Sequence, residues 1–163
     1  MTTFLNQPVT LEGRQPSVGE TMPDFTVLDA SMNPVDPVKI PGKKIILSVP
    51  SLDTPVCSLE LGKFLHYMKN NPQIKVISVS EDLPFALARW NKAQENEGTI
   101  LTTSDFPAQD FSSKTGTRMK ENGLLTRAAF VVDEDGKIIY EQFVDEVSHE
   151  PDYIKILEAA GLQ

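Results

Sequence analysis

Cysteine is almost missing from this chain of 163 residues: Cys57 stands alone, so no intramolecular disulfide can form and one thiol cannot by itself build a four-ligand zinc site. Basic residues are also in short supply, 15 Lys and Arg against 23 Asp and Glu, for a formal charge of -8. That balance repels phosphate backbones and anionic membranes, so neither a nucleic acid nor a membrane is expected as a partner. No run of about 18 apolar residues occurs. The opening Met1-Thr2-Thr3-Phe4-Leu5-Asn6-Gln7 lacks the basic start and apolar stretch of a secretory signal. The expectation is a soluble, cytoplasmic protein. Glycine-rich phosphate loops and serine nucleophile elbows are lacking as well. His66 and His149 fall at no metal-ligand spacing, and the acidic pieces Asp133-Glu134-Asp135 and Asp145-Glu146 read as a turn and a solvated surface, so no metal and no organic cofactor is expected.

What is present is ordinary globular composition, with 40% hydrophobic and 23% charged residues, and its length suits one domain over residues 1–163. The first 40 residues are broken by Pro8, Gly13, Pro16, Gly19, Pro23, Pro34 and Pro37, and read as a loop-and-hairpin arm. From Lys43 to Val49 a short β-rich run predicts a buried strand. Cys57, Leu61, Phe64, Leu65 and Met68 then recur at helical spacing, with Glu60, Lys63 and Lys69 on other faces. Ile74 to Ser80 predicts a second strand, Asp82 a cap for a helix from Leu83 to about Glu95, and Thr99 to Thr103 a third strand. Arg127–Asp133 and Lys137–Val144, joined by Asp133-Glu134-Asp135-Gly136, predict a hairpin, and a last helix runs from about Asp152 to Ala160, closed by Gly161. This order implies an α/β protein with a parallel core extended by antiparallel strands.

The segment Pro50-Ser51-Leu52-Asp53-Thr54-Pro55-Val56-Cys57 lies between the first core strand and its helix, at the carboxyl end of a parallel strand, where α/β sheets place their sites. With Thr54 as N-cap and Pro55 first in the helix, Cys57 is third and faces unpaired N–H groups. Those donors and the helix dipole favour a thiolate, and a guanidinium would add to the effect. A second reading stands beside this one, because free cysteine is among the most buried residue types and Cys57 shares the apolar stripe. On pattern alone, Thr54 and Pro55 are helix-start punctuation and Arg127 is a surface cation at the head of a strand.

The motif Pro50-x-x-x-Thr54-x-x-Cys57 resembles the active-site motif of the peroxiredoxins, and Val49 to Cys57 as a whole is similar to their thiol peroxidase subfamily. Ser80-Glu81-Asp82-Leu83-Pro84-Phe85-Ala86 with Arg89-Trp90, Val144-Asp145-Glu146 with Glu150-Pro151-Asp152-Tyr153, Pro23-Asp24-Phe25, and Arg127 to Asp133 extend the resemblance over nearly the whole chain. It implies a thioredoxin-like fold with a mixed central sheet flanked by helices and an N-terminal β-hairpin, a thioredoxin-dependent type of peroxidase activity, and a homodimer. Carried onto this sequence, it makes Cys57 the nucleophile that attacks a peroxide and becomes a sulfenic acid. Thr54, Arg127 and the Cys57 backbone N–H would bond the peroxide, and Pro50 would shield the sulfur. A free thiol of pKa about 8.5 is about 3% ionised at pH 7, so full ionisation gains only about 30-fold. The rest of the rate has to come from donors aimed at the leaving oxygen.

The pattern breaks at Asn91, where most of the subfamily carries a resolving cysteine. The resemblance then implies that a thioredoxin-like protein, a small thiol or a second subunit resolves the sulfenic acid. The substrate expected is hydrogen peroxide or an alkyl hydroperoxide, with a lean to the latter. Two rivals remain: a peroxide sensor or redox-regulated binding protein with little turnover, and an inactive thioredoxin-like scaffold.

Overall fold

The computed structural model describes residues 1–162. In chain order its elements are β1 (Thr3–Phe4), β2 (Gln7–Pro8), β3 (Leu11–Glu12), β4 (Val27–Asp29), β5 (Pro34–Val35), β6 (Lys44–Ser48), α1 (Pro55–Met68), β7 (Lys75–Ser80), α2 (Pro84–Ala93), β8 (Ile100–Ser104), α3 (Asp110–Thr115), β9 (Arg118–Met119), β10 (Ala128–Val132), β11 (Ile138–Phe143) and α4 (Tyr153–Ala159). Seven strands form one sheet in the order β11-β10-β6-β7-β8-β4-β5. Its centre, β6-β7-β8, is parallel, and the flanking strands are antiparallel. This is the mixed α/β sheet expected from the sequence, with β1 and β2 as the N-terminal hairpin.

The apolar run of β6 explains its central place. Side chains alternate across a strand, so Ile45 and Leu47 join Cys57, Leu61, Phe64, Leu87, Trp90 and Ile156 on the face covered by α1, α2 and α4. Ile46 points the other way, into a second core with Ile77, Val79, Phe111, Phe130, Met22 and Phe25. A strand buried on both faces reads as a continuous apolar run.

Three features depart from the sequence reading. The breaker-rich N-terminal segment is not wholly an outlying arm, since β4 pairs with β8 and carries β5 as the sheet edge. Asp82 does not cap α2: the cap position is Leu83, without a side-chain bond, because the Asp82 carboxylate is drawn to the β6–α1 loop. The short α3 and β9 carried no usable periodicity; α3 has only six residues.

Candidate functional site

The β6–α1 loop forms its turn with its own side chains. Thr54 is the N-cap of α1, with extended φ of -90°, and its Oγ1 accepts from the Cys57 backbone N–H at 3.3 Å. The same hydroxyl donates to the Ser51 carbonyl at 2.9 Å, and the Thr54 N–H reaches that carbonyl at 3.1 Å. The Thr54 hydroxyl hydrogen is thus engaged within the loop and not aimed at the sulfur. Pro50, at the end of β6, and Cys57 are both buried, the latter fully.

Arg127 reaches this loop through strand register. β10 runs antiparallel to β6 with Ala128 opposite Ser48, so the residue before Ala128 lies beside the segment that follows β6. The Ser48 hydroxyl fastens the join by donating to the Thr126 carbonyl at 2.8 Å. Arg127 is 2% exposed, so it is no surface cation, and its guanidinium is fixed at three points. Nε donates to the Val147 carbonyl at 2.8 Å, Nη1 to Glu60 Oε1 at 2.7 Å and Nη2 to Cys57 Sγ at 3.3 Å. Val147 is held in turn by the N-terminal hairpin, since its N–H donates to the Thr3 carbonyl at 2.7 Å. All four sequence candidates, Pro50, Thr54, Cys57 and Arg127, therefore converge on the carboxyl end of β6.

Glu60 belongs to this cluster, although the sequence reading set it on another face of the helix from Cys57 and assigned it no role. It lies three residues after Cys57, which puts the two on neighbouring positions of one helix face, and it is 1% exposed. Burial pushes its carboxyl up and the Arg127 guanidinium pulls it only part of the way back, to about 7. One of its oxygens, Oε2, is buried without a hydrogen-bond partner. Burial alone would lower the pKa of Arg127, but the charges of Cys57 and Glu60 outweigh it and hold the guanidinium above its ordinary value. Buried carboxylates need a partner, so a glutamate one helical turn beyond a candidate cysteine was the available signal. His66 and His149 are both exposed and stand outside the cluster. Among the described residues no group of three His, Cys, Asp or Glu side chains is placed to hold a metal ion. No described helix is long and apolar enough to cross a membrane.

Around the cluster, α2 is locked to the sheet. Asn91 Nδ2 donates to Thr102 Oγ1 at 2.9 Å, and its Oδ1 accepts from Asn96 Nδ2 at 2.9 Å. Trp90, read from sequence as partly buried, is 6% exposed and donates its indole N–H to Ser58 Oγ at 3.1 Å. Beside α1 runs an open cleft of about 520 Å³ whose walls include Pro55, Ser58, Leu59, Lys63 and Tyr67.

A thioredoxin-like sheet with one cysteine in the first turn of the helix after its first parallel strand, and a buried arginine on the sulfur, defines a class of thiol-based redox proteins. Comparison narrows it. The redoxin family model matches residues 17–157. A thiol peroxidase of Clostridium acetobutylicum is 41% identical over 157 residues, covering 96% of this chain and 95% of its own. That of Bacillus subtilis is 40% identical over 159 residues, covering 97% and 95%. Among solved structures, a peroxiredoxin-like protein from Aquifex aeolicus matches with a TM-score of 0.89 at 32% identity, over 98% of this chain and 95% of its own. The chain belongs to the redoxin family, in its thiol peroxidase branch. It is accordingly a peroxidase, an oxidoreductase.

Proposed function

We propose that the chain reduces hydrogen peroxide and alkyl hydroperoxides to water and alcohols at Cys57, and that an external thiol completes the cycle. The observation that carries this reading is the Arg127 Nη2 contact with Cys57 Sγ at 3.3 Å, between two buried side chains. A guanidinium there stabilises negative charge on sulfur and, once peroxide is bound, on the oxygen that leaves. The Cys57 thiolate attacks the distal oxygen. The S–O bond forms as the O–O bond breaks, sulfur loses two electrons, and the departing hydroxide or alkoxide takes up a proton.

Thr54 has a defined part in this scheme. Its hydrogen is on the Ser51 carbonyl and one lone pair receives the Cys57 N–H, so a second lone pair is left to accept the O–H of the peroxide. That contact orients the distal oxygen towards sulfur. Pro50 keeps water from the thiolate, in keeping with its burial at the end of β6. With Asn91 where a second cysteine would stand, and Cys57 the one cysteine of the chain, the sulfenic acid is reduced by a thioredoxin-like protein, a small thiol or another subunit. The reading extends to a single domain over residues 1–163 acting as a cytoplasmic homodimer, supported by the sequence resemblance.

A second reading, a peroxide sensor with little turnover, is favoured by one observation: Asn91 pins α2 to Thr102 of β8, and Leu87 and Trp90 of that helix share a core with the fully buried Cys57, which hinders any incoming thiol. The test is a single turnover of reduced protein with slight excess of cumene hydroperoxide, followed by intact mass. Peroxide loss orders of magnitude faster than with free cysteine, with one oxygen gained, is expected. Loss at the free-thiol rate rejects the proposal. Adding a thioredoxin system or a small thiol then separates the readings, since sustained turnover excludes the sensor and stalling after one equivalent supports it.

A further inference from the structure

We propose that Asp82 is a positioning residue for peroxide reduction, acting on Thr54 through the β6–α1 loop; this rests on the function proposed above. Asp82 lies just beyond β7, and its carboxylate gathers three donors. Oδ1 accepts from Ser51 Oγ at 2.6 Å, and Oδ2 accepts from the Leu52 N–H at 2.8 Å and from Ser80 Oγ at 2.9 Å. Ser80 is the last residue of β7, so the carboxylate bridges the end of a central strand to the loop that carries the cysteine.

The consequences pass along the loop in order. Because Asp82 takes the Ser51 hydroxyl hydrogen, the lone pairs of that hydroxyl turn to the Asp53 N–H, which donates to Ser51 Oγ at 3.1 Å. Fixing Ser51 on both sides fixes its carbonyl, the acceptor for both the N–H and the hydroxyl of Thr54. The Thr54 hydroxyl is therefore held with its hydrogen on the Ser51 carbonyl, one lone pair on the Cys57 N–H and the other left for the peroxide. A second tether runs alongside, an ion pair from Arg89 of α2 to Asp53, but it is exposed and so much the weaker constraint. A carboxylate suits the position of Asp82 because every group facing it is a donor and it offers only acceptors. An amide of the same size presents N–H to groups that also donate.

The test uses the full chain with Asp82→Asn, with Ser51→Ala as a second variant that removes only the Oδ1 link, each also made in a Thr54→Val background. Two rates are read: oxidation of Cys57 by cumene hydroperoxide in stopped flow, and alkylation of Cys57 by iodoacetamide, which needs the thiolate but not an oriented peroxide. Misplacing a reacting group by about an ångström costs about 100-fold, so Asp82→Asn is expected to slow oxidation about 10- to 100-fold without slowing alkylation. Ser51→Ala, which loses one hydrogen bond, is expected to slow it about 2- to 10-fold. In the Thr54→Val background neither change is expected to slow oxidation further, because the group they position is gone. Equal losses in both backgrounds, or parallel loss of alkylation, would make Asp82 a fold residue and overturn the inference. So would unchanged oxidation in both variants. Should Asp82→Asn not fold, the Ser51→Ala pair decides by the same criteria. If the parent protein itself oxidises at the free-thiol rate, the proposed function fails and this inference with it; a fast parent with equally fast variants fails the inference alone.

Discussion

Arg127 has two parts, holding Glu60 in the core and charging the pocket around Cys57, and a pair of substitutions separates them. Arg127→Met keeps the volume of the stem and deletes the guanidinium. Glu60 is then left buried without its 2.7 Å partner, in addition to the oxygen that already lacks one. Removing one member of a buried ion pair costs about 3 to 5 kcal/mol, so a large loss in urea-unfolding free energy is expected. The loss depends on pH with a definite sign. Burial raises the Glu60 carboxyl from 4.5 to about 7 in the folded protein, so the fold favours its protonated form. Its contribution to stability is fully present below the unfolded pKa and is lost as pH rises through the folded one. Without Arg127 the carboxyl rises further and the charged form is more costly. The stability gap to the parent therefore widens as pH goes from about 6 to about 8. Adding Glu60→Gln removes the titrating group, so the double variant regains most of the stability and loses the pH slope. It does not regain chemistry: the lost charge-assisted bond to sulfur, about 1.5 to 3 kcal/mol, slows peroxide reduction about 10- to 150-fold in both variants. Recovery of peroxide rate together with stability in the double variant would refute the reasoning. A cost under about 1 kcal/mol for Arg127→Met at pH 8 would do the same, since a buried pair cannot be that cheap to break.

Thr54→Val deletes both the cap and the peroxide acceptor, so a fall of about 1 kcal/mol in unfolding free energy should accompany a larger fall in stopped-flow oxidation rate. Glu146 is pulled down to about 2, against the raising effect of its partial burial, by bonds from Ser148, the Asn6 N–H and Thr3 Oγ1. Its stabilisation is present above the ordinary carboxylate range and lost as pH falls towards about 2. Glu146→Gln should therefore mimic acid by speeding amide exchange in the N-terminal hairpin at neutral pH. Asn91→Ala breaks the clasp to Thr102 and Asn96 and should cost about 1 to 2 kcal/mol. Limited proteolysis should then cut α2 sooner, and unchanged cleavage would show that the clasp does not hold the helix.

Periodicity and punctuation made much of the frame legible. The β6 run, the helical stripe from Cys57 to Met68 and the Asp-Gly turn before β11 each state their structure locally, and each forms as expected. The N-cap at Thr54 was equally readable, because capping chemistry is decided by a few adjacent residues. Asp82 shows where such reasoning ends. Its place before Pro84 looks like a cap, yet donors 30 residues earlier in the chain compete for the carboxylate and win. Glu60 escaped for the same reason, and Arg127 was reached only through the family resemblance: on pattern each looks like a surface charge until the register of β10 on β6 brings them together inside the core. Long-range pairing decides such residues, and one sequence does not display it.

The same restraints that favour the first half of the proposed cycle oppose the second. Attack on peroxide is helped by a rigid pocket, in which the Thr54 hydroxyl, the sulfur and the guanidinium keep their places. Cys57 has no exposed surface in this arrangement, so a peroxide needs a small opening, and resolution needs a larger one for an outside sulfur to approach along the S–O axis. Something has to open. The Asn91 clasp holds α2 to β8 and the Trp90 to Ser58 bond holds it to α1, while Asp82 and Arg89 tether the loop before the cysteine. Of these, the exposed Arg89–Asp53 pair is the weakest by environment, since both side chains are more than half exposed and solvent screens them. Opening should therefore begin at the first turn of α1 rather than by unwinding α2, and salt should ease it. A peroxidase built this way oxidises quickly and is reduced at the rate at which that turn opens, so replacing Arg89 by Ala should speed thiol-dependent reduction of the oxidised protein while leaving its oxidation rate nearly unchanged.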